Sequence, residues 1–255
     1  MTEQLVTCEY DGGVATLLLR RPPRNILNIE MMEQMNQLLL DFRDHPELKV
    51  LLIRGVGEWF CGGVDVADRT RDKVARMLQV FHRIFETMRL LDVISIAAVD
   101  GNAAGGGFEL AIGCNLILSS TSAKYSLPQV SMGSIPPMAS VVLPRVTPRR
   151  KAMDWILTGD EISAAELERY GLVSRLFPDD GFDEGVANYL EKIVRQSGPV
   201  LQLAKRAQVE SYYATYEEAL FKVENLYLRE LLSLADSQEG IQAHLEGRPP
   251  QWRDA

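Results

Sequence analysis

The residues with the most chemical potential lie in two glycine clusters, Cys61-Gly62-Gly63-Val64-Asp65 and Gly105-Gly106-Gly107-Phe108-Glu109. Each falls between a strand-like apolar run and a helical pattern, where bare backbone N–H groups can bind an oxyanion or a phosphate. Tight turning between strand and helix explains the same glycines without a ligand. Neither cluster continues into Gly-Lys-Ser/Thr, and neither completes a dinucleotide fingerprint. Glu109 is held between Phe108 and Leu110-Ala111-Ile112, where a buried charge is costly. A carboxyl there has a raised pKa, which suits a general acid or base. A carboxylate that caps the first turn of its own helix fits the same spacing, so both readings stay open.

Other chemistries find less support. His45 precedes a proline and His244 lies at a polar helix end, so both are expected at the surface, and His82 adjoins a core position. No serine occupies a Gly-x-Ser-x-Gly elbow, which removes the usual hydrolase triad. Cys8, Cys61 and Cys114 are odd in number and form no CxxC pair, so neither a disulfide framework nor a metal site is expected. The 27 basic and 35 acidic residues give a formal charge of −8, which opposes nucleic acid and anionic membrane. No signal-like N-terminus or membrane-length apolar run is seen, and a cytoplasmic protein is expected.

The elements that must position these residues follow from periodicity. Asp11-Gly12-Gly13 predicts a hairpin between two strands. A helix is expected from Ile29, with Asn28 as N-cap and Pro46 as stop. Val50–Ile53 and Ile94–Val99 read as buried strands separated by a helix with core positions Val74, Met77, Leu78, Phe81 and Phe85, a βαβ pattern with parallel pairing. A helix at Leu110 and a strand at Leu116–Leu118 come next. The rest reads as largely helical, with a strand-like Gly171–Leu176, a helix from Gly198-Pro199, and a long amphipathic stretch from Tyr216 to about His244. Hydrophobic residues at 46 % of 255 allow a sizeable core without staples.

At these glycines the chain resembles the crotonase (enoyl-CoA hydratase/isomerase) superfamily. The resemblance rests on an ordered set: Arg21-Pro22, Asn25-Ile26-Leu27, Phe60–Val66, Ala97–Gly101, Gly105–Leu110, Leu157-Thr158-Gly159, Ala164-Ala165-Glu166, Gly171-Leu172-Val173, Leu203-Ala204-Lys205 and Glu239-Gly240. It implies an α/β fold, a spiral of ββα repeats over residues 1–195, with a C-terminal helical trimerisation region over 196–255 and homotrimers or homohexamers. It implies an acyl-CoA substrate, no separate cofactor, and an oxyanion hole formed by the N–H groups of Val64 and Gly106. Two fixed donors suit an enolate-like oxygen. Ile26, Asp65 and Val66 would line the path of CoA, and Arg24 would contact a phosphate or remain an ordinary surface arginine.

Two departures from the family pattern carry information. Hydratases of this type place a second glutamate after a proline; here that step is Pro128-Gln129, so Glu109 is left as the one carboxylate, with Gln129 able to orient water or substrate. A glycine-rich stretch is replaced by Gly133-Ser134-Ile135-Pro136-Pro137, which would stiffen the acyl pocket around Pro137. That stretch, together with Gly63–Asp68 and Arg21–Leu27, resembles the cyclohexa-1,5-diene-1-carbonyl-CoA hydratases of anaerobic benzoyl-CoA degradation. A single-glutamate enoyl-CoA isomerase and a non-catalytic acyl-CoA- or RNA-binding relative are the competing readings.

Overall fold

The computed structural model describes residues 3–42, 45–212 and 214–255. Strands β1 (Val6–Asp11) and β2 (Val14–Leu19) form the expected hairpin, closed by Gly12 and Gly13, both left-handed. Helix α1 (Ile29–Asp41) starts where the Asn28 side chain accepts the Met31 N–H. Thereafter the chain repeats one unit. Strand β3 (Val50–Gly55) is followed by β4 (Trp59–Cys61) and α2 (Val74–Leu90), and β5 (Ile94–Val99) by β6 (Asn102–Ala104) and α3 (Gly106–Ile112). Strand β7 (Leu116–Ser120) is followed by β8 (Lys124–Ser126) and α4 (Pro137–Val146).

Because the strands of each unit enter different sheets, two layers form. The larger sheet runs β1-β2-β3-β5-β7-β10, with β10 at Arg175–Phe177; the smaller runs β4-β6-β8-β9, with β9 at Ile162–Ser163. From β2 to β10 the larger sheet is parallel, as the buried apolar runs predicted. Alternate residues explain why. Leu51, Ile53, Ala97 and Val99 enter the main core, while Val50, Leu52, Ile96 and Ala98 pack beneath Phe182 and Val186 of α7 (Phe182–Val194). In the smaller sheet β4 lies beside β6, so the glycine clusters that follow these strands come out side by side.

Helices α5 (Arg149–Thr158) and α6 (Ala164–Arg169) flank β9, and α8 (Gly198–Ser211), α9 (Tyr216–Asn225) and α10 (Ala235–Glu246) complete the chain. Two sequence expectations are corrected. The strand-like Gly171–Leu176 contributes only its end to β10, because Gly171 takes a left-handed φ of 78° and the Leu172 and Val173 N–H groups return to the Leu167 carbonyl, closing α6. The amphipathic run from Tyr216 is not one helix: it passes through a π turn at Leu226–Glu230 and a tight turn at Leu231–Ser233 before α10 begins. That break lets the buried Asp236 carboxylate accept the Arg253 and Asp254 N–H groups of the C-terminal segment. Apolar periodicity reads straight through such a kink, because it carries no information about backbone partners.

Among the described residues, no helix is long and apolar enough to cross a membrane, and no group of three His, Cys, Asp or Glu side chains is placed to hold a metal.

Candidate active site

The site forms where the loops after β4 and β6 meet. Gly63 and Gly106 approach so closely that a Cβ built on Gly63 would stand 3.4 Å from the Gly106 nitrogen. A Cβ on Gly106 would reach 2.6 Å from Val64 Cγ2, and one on Gly107 would collide with the Cys61 carbonyl. The glycines are therefore required by contact between the two loops. Gly105 adds a left-handed φ of 51°, which turns the chain into α3.

The first loop is held from behind. Gly62 N donates to Arg24 O, Leu27 N to Gly63 O, and Asp65 N to Leu27 O. Buried Asn25 accepts the Arg21 N–H, and its own amide donates to the carbonyls of Val56 and Trp59 at 3.0 and 2.7 Å. Arg21 Nη1 joins Asp65 Oδ2 at 2.9 Å and also donates to Ile26 O. The Arg21–Leu27 segment thus acts as a clamp on Gly62–Asp65. The pairing of Leu27 with Val64 uses the Gly63 carbonyl and the Asp65 N–H, leaving the Val64 N–H out of the ladder. The Gly106 N–H, at the first position of α3, has no carbonyl within its own helix to bond. Among the described residues neither N–H makes a hydrogen bond, as an oxyanion pair requires.

Glu109, one turn into α3, is 2 % exposed. Its Oε1 accepts the N–H groups of Met138 and Ala139 at 2.8 and 3.1 Å, and its Oε2 accepts Gln129 Nε2 at 3.1 Å. Both backbone donors belong to the first turn of α4, which Pro137 opens. Of the two readings that sequence left open, own-helix capping is replaced: the carboxylate caps α4, a different helix. Pro137 has no N–H to offer, so the two that follow are free for Glu109. Burial pushes the Glu109 carboxyl up to about 7, against the opposing pull of the Ala139, Met138 and Gln129 donors and the Arg69 charge.

A cavity of about 530 Å³ opens on this carboxylate. Glu109, Gln129, Val64, Val66 and Pro137 line it, so the structure brings these five candidates together. Asp65 lines an adjoining cleft instead. Arg24 lies over the Trp59 ring at 5.1 Å, and both it and Ile26 pack against Gly62, outside the cavity wall. Sequence reasoning missed Met138 and Ala139, whose contribution is backbone and leaves no residue-type signal. It also missed Arg69 as a lining residue and set His82 aside, though both face the cavity.

Gln129 itself is buried, and its Oε1 has no partner among the described residues. Exchanging it for glutamate would set a second carboxylate beside Glu109 Oε2, and two such groups cannot both ionise at this distance. The pair then holds a proton to higher pH than Glu109 alone does, so the fold loses stability as pH rises. Thermal melts are expected to show Gln129→Glu near wild type at about pH 6 and lower by roughly 5 °C or more at about pH 9. An equal difference at both values would show that the two groups do not interact.

Comparisons with known proteins bear on the family. The family model described as enoyl-CoA hydratase/isomerase matches residues 9–255. A cyclohexa-1,5-dienecarbonyl-CoA hydratase of Thauera aromatica is 32 % identical over 98 % of this chain and 96 % of its own. An (E)-benzylidenesuccinyl-CoA hydratase of the same organism is 33 % identical over 98 % of this chain and 99 % of its own. The crystal structure of an enoyl-CoA hydratase from Bacillus anthracis superposes with a TM-score of 0.93 at 27 % identity, covering 99 % of this chain and all of the other. With the loops, the buried glutamate and a match over nearly the whole length in agreement, the chain belongs to the enoyl-CoA hydratase/isomerase family.

Proposed function

We propose that the protein is a hydro-lyase that adds water to a conjugated acyl-CoA thioester, with Glu109 as its one acid/base group. The observation that carries this reading is Gln129 Oε1, a buried acceptor without a partner beside a buried carboxylate. A carbonyl oxygen so placed needs a donor, and a water molecule that donates to both Gln129 and Glu109 supplies it. Turning the amide over would set its oxygen against the Glu109 carboxylate, so the ionised glutamate fixes its orientation. A double-bond isomerase has no use for that water.

The thioester oxygen lies between the Val64 and Gly106 N–H groups. Water bonds through oxygen to the distal carbon of the conjugated system while Glu109 takes its proton, and the electron pair moves to the thioester oxygen. Glu109 then returns the proton to carbon as the carbonyl re-forms. Phe81, Ile135 and Pro137 around the cavity suit a ring, and the finer reading is a cyclic dienoyl thioester, cyclohexa-1,5-diene-1-carbonyl-CoA, in aromatic degradation. Arg24, Ile26, Asp65 and Val66 would follow the CoA moiety. The C-terminal helices would serve homotrimer or hexamer contacts, supported by exposed Tyr216, Phe221, Leu228 and Leu245.

As a base Glu109 must be ionised, so kcat/KM for hydration is expected to rise with pH through about 7 and then level off. A profile flat from about pH 5.5 to 8.5 would remove Glu109 from the proton transfer. The reaction itself is tested by supplying the cyclic dienoyl-CoA and, separately, a 3-enoyl-CoA. A hydroxylated product from the first is expected. Consumption of the second alone, with no hydroxy product, would identify an isomerase.

A further inference from the structure

The cavity wall holds a cation to which the hydration chemistry assigns no contact. Apart from Glu109, the charged or titratable side chains that line it are Arg69 and His82; most of its other wall is apolar, with Met77, Leu78, Phe81 and Ile135. Arg69 sits where the short turn Val66–Asp68 ends, before α2 begins. It is half-buried, and among the described residues its guanidinium makes no hydrogen bond or ion pair. The nearby carboxylates are engaged elsewhere, Asp65 with Arg21 and Asp68 with Lys73.

A guanidinium facing an apolar wall is partly desolvated and gains most from an oxyanion brought into the cavity, which it can grip through two parallel N–H groups. Glu109 does not fill that role: among the described residues no hydrogen bond or ion pair joins it to Arg69, whose charge reaches it only through space. We propose that Arg69 is a specificity-determining residue that selects acyl groups carrying a free carboxylate at the end remote from the thioester, a dicarboxylic acyl-CoA class. His82, in the same wall, offers a second donor to that carboxylate. The inference rests on the acyl-CoA reading of the site. An acyl group that bears an acid, ring or open chain, would therefore bind more tightly than the unsubstituted cyclohexadiene ring, which carries none.

CoA phosphates offer the same oxyanion chemistry, but the Arg69 charge acts on the Glu109 carboxyl, the group that meets the reacting acyl carbons, and so faces the acyl end. Equilibrium binding separates the two sources. Glutaryl-CoA and pentanoyl-CoA, both unreactive toward hydration, differ at the chain terminus by carboxylate against methyl. Wild type is expected to bind glutaryl-CoA at least ten-fold more tightly. Arg69→Met is expected to bring that ratio within two-fold, and Arg69→Lys to retain part of it. The proposal is overturned if wild type shows no preference for glutaryl-CoA, or if Arg69→Met weakens free CoA and both thioesters by the same factor. Hydration of cyclohexa-1,5-diene-1-carbonyl-CoA by wild type, measured alongside, keeps the two readings apart. A carboxylate preference without any hydration supports the role of Arg69 and removes the hydratase, whereas hydration without the preference does the reverse.

Discussion

Replacing Glu109 by glutamine is expected to lower kcat about a thousand-fold while making the protein harder to unfold above neutral pH. Both effects come from one feature. The carboxyl is 2 % exposed and burial pushes it up to about 7, well above its ordinary value near 4.5. A carboxyl whose pKa is raised by folding stabilises the native state least when ionised. Its cost is absent below about pH 4.5, grows as pH climbs, and is complete above about 7, where linkage makes it about 3 kcal/mol. Glutamine keeps an oxygen for the Met138 and Ala139 N–H groups, and its amide can donate to the unpartnered Gln129 Oε1 once that amide turns over. The melting temperature of Glu109→Gln should therefore exceed wild type by roughly 5 °C at about pH 8.5, with the gap closing near pH 5. A site kept unstable for its chemistry behaves in this way. A variant less stable than wild type at both pH values would mean that the carboxylate is needed to hold α4.

The second large effect lies far from the cavity. Lys205, on α8, inserts its ammonium among the carbonyls of Met88, Leu91 and Val93 at 3.0, 2.7 and 2.8 Å. These carbonyls belong to the end of α2 and the turn into β5, where a helix leaves acceptors without partners. Burial pulls the ammonium down to about 8, so it is still charged at neutral pH. Lys205→Met fills the same space but strands three buried acceptors, each worth about 1–3 kcal/mol. A loss of about 3–5 kcal/mol is expected, seen in calorimetry as a drop of roughly 10 °C. Because the site loops follow β4 and β6 and Lys205 does not line the cavity, activity at a temperature where the variant is folded should change little by comparison. A drop under 2 °C would show that water replaces the amine.

Leu203-Ala204-Lys205 is one of the motifs that carried the family resemblance, and the structure gives it a physical reason. The same holds for Arg21–Leu27, which clamps the first glycine loop through Asn25, and for Gly106 and Gly107, fixed by contact with Val64 and Cys61. Most of the larger sheet was legible because β2, β3, β5 and β7 are largely apolar runs of five or six residues and a glycine turn marks β1; the three-residue β10 was not. The smaller sheet was not: β4, β6, β8 and β9 have two or three residues each, below any periodic signal. Glu109 stood out by type and setting, yet its caps on α4 depend on a backbone contact 29 residues away. Arg69 had no motif to mark it. Only the turn at Val66–Asp68 aims that segment at the cavity.

Hydration by a single carboxylate, with Gln129 holding the water, is tested most directly by mass. Cyclohexa-1,5-diene-1-carbonyl-CoA is incubated with the enzyme in oxygen-18 water, and the product is read by mass spectrometry. The expected product is heavier than the substrate by one labelled water, formed by wild type and suppressed about a thousand-fold in Glu109→Gln. A product of unchanged mass with a shifted double bond, or labelled product formed equally by both proteins, would contradict it.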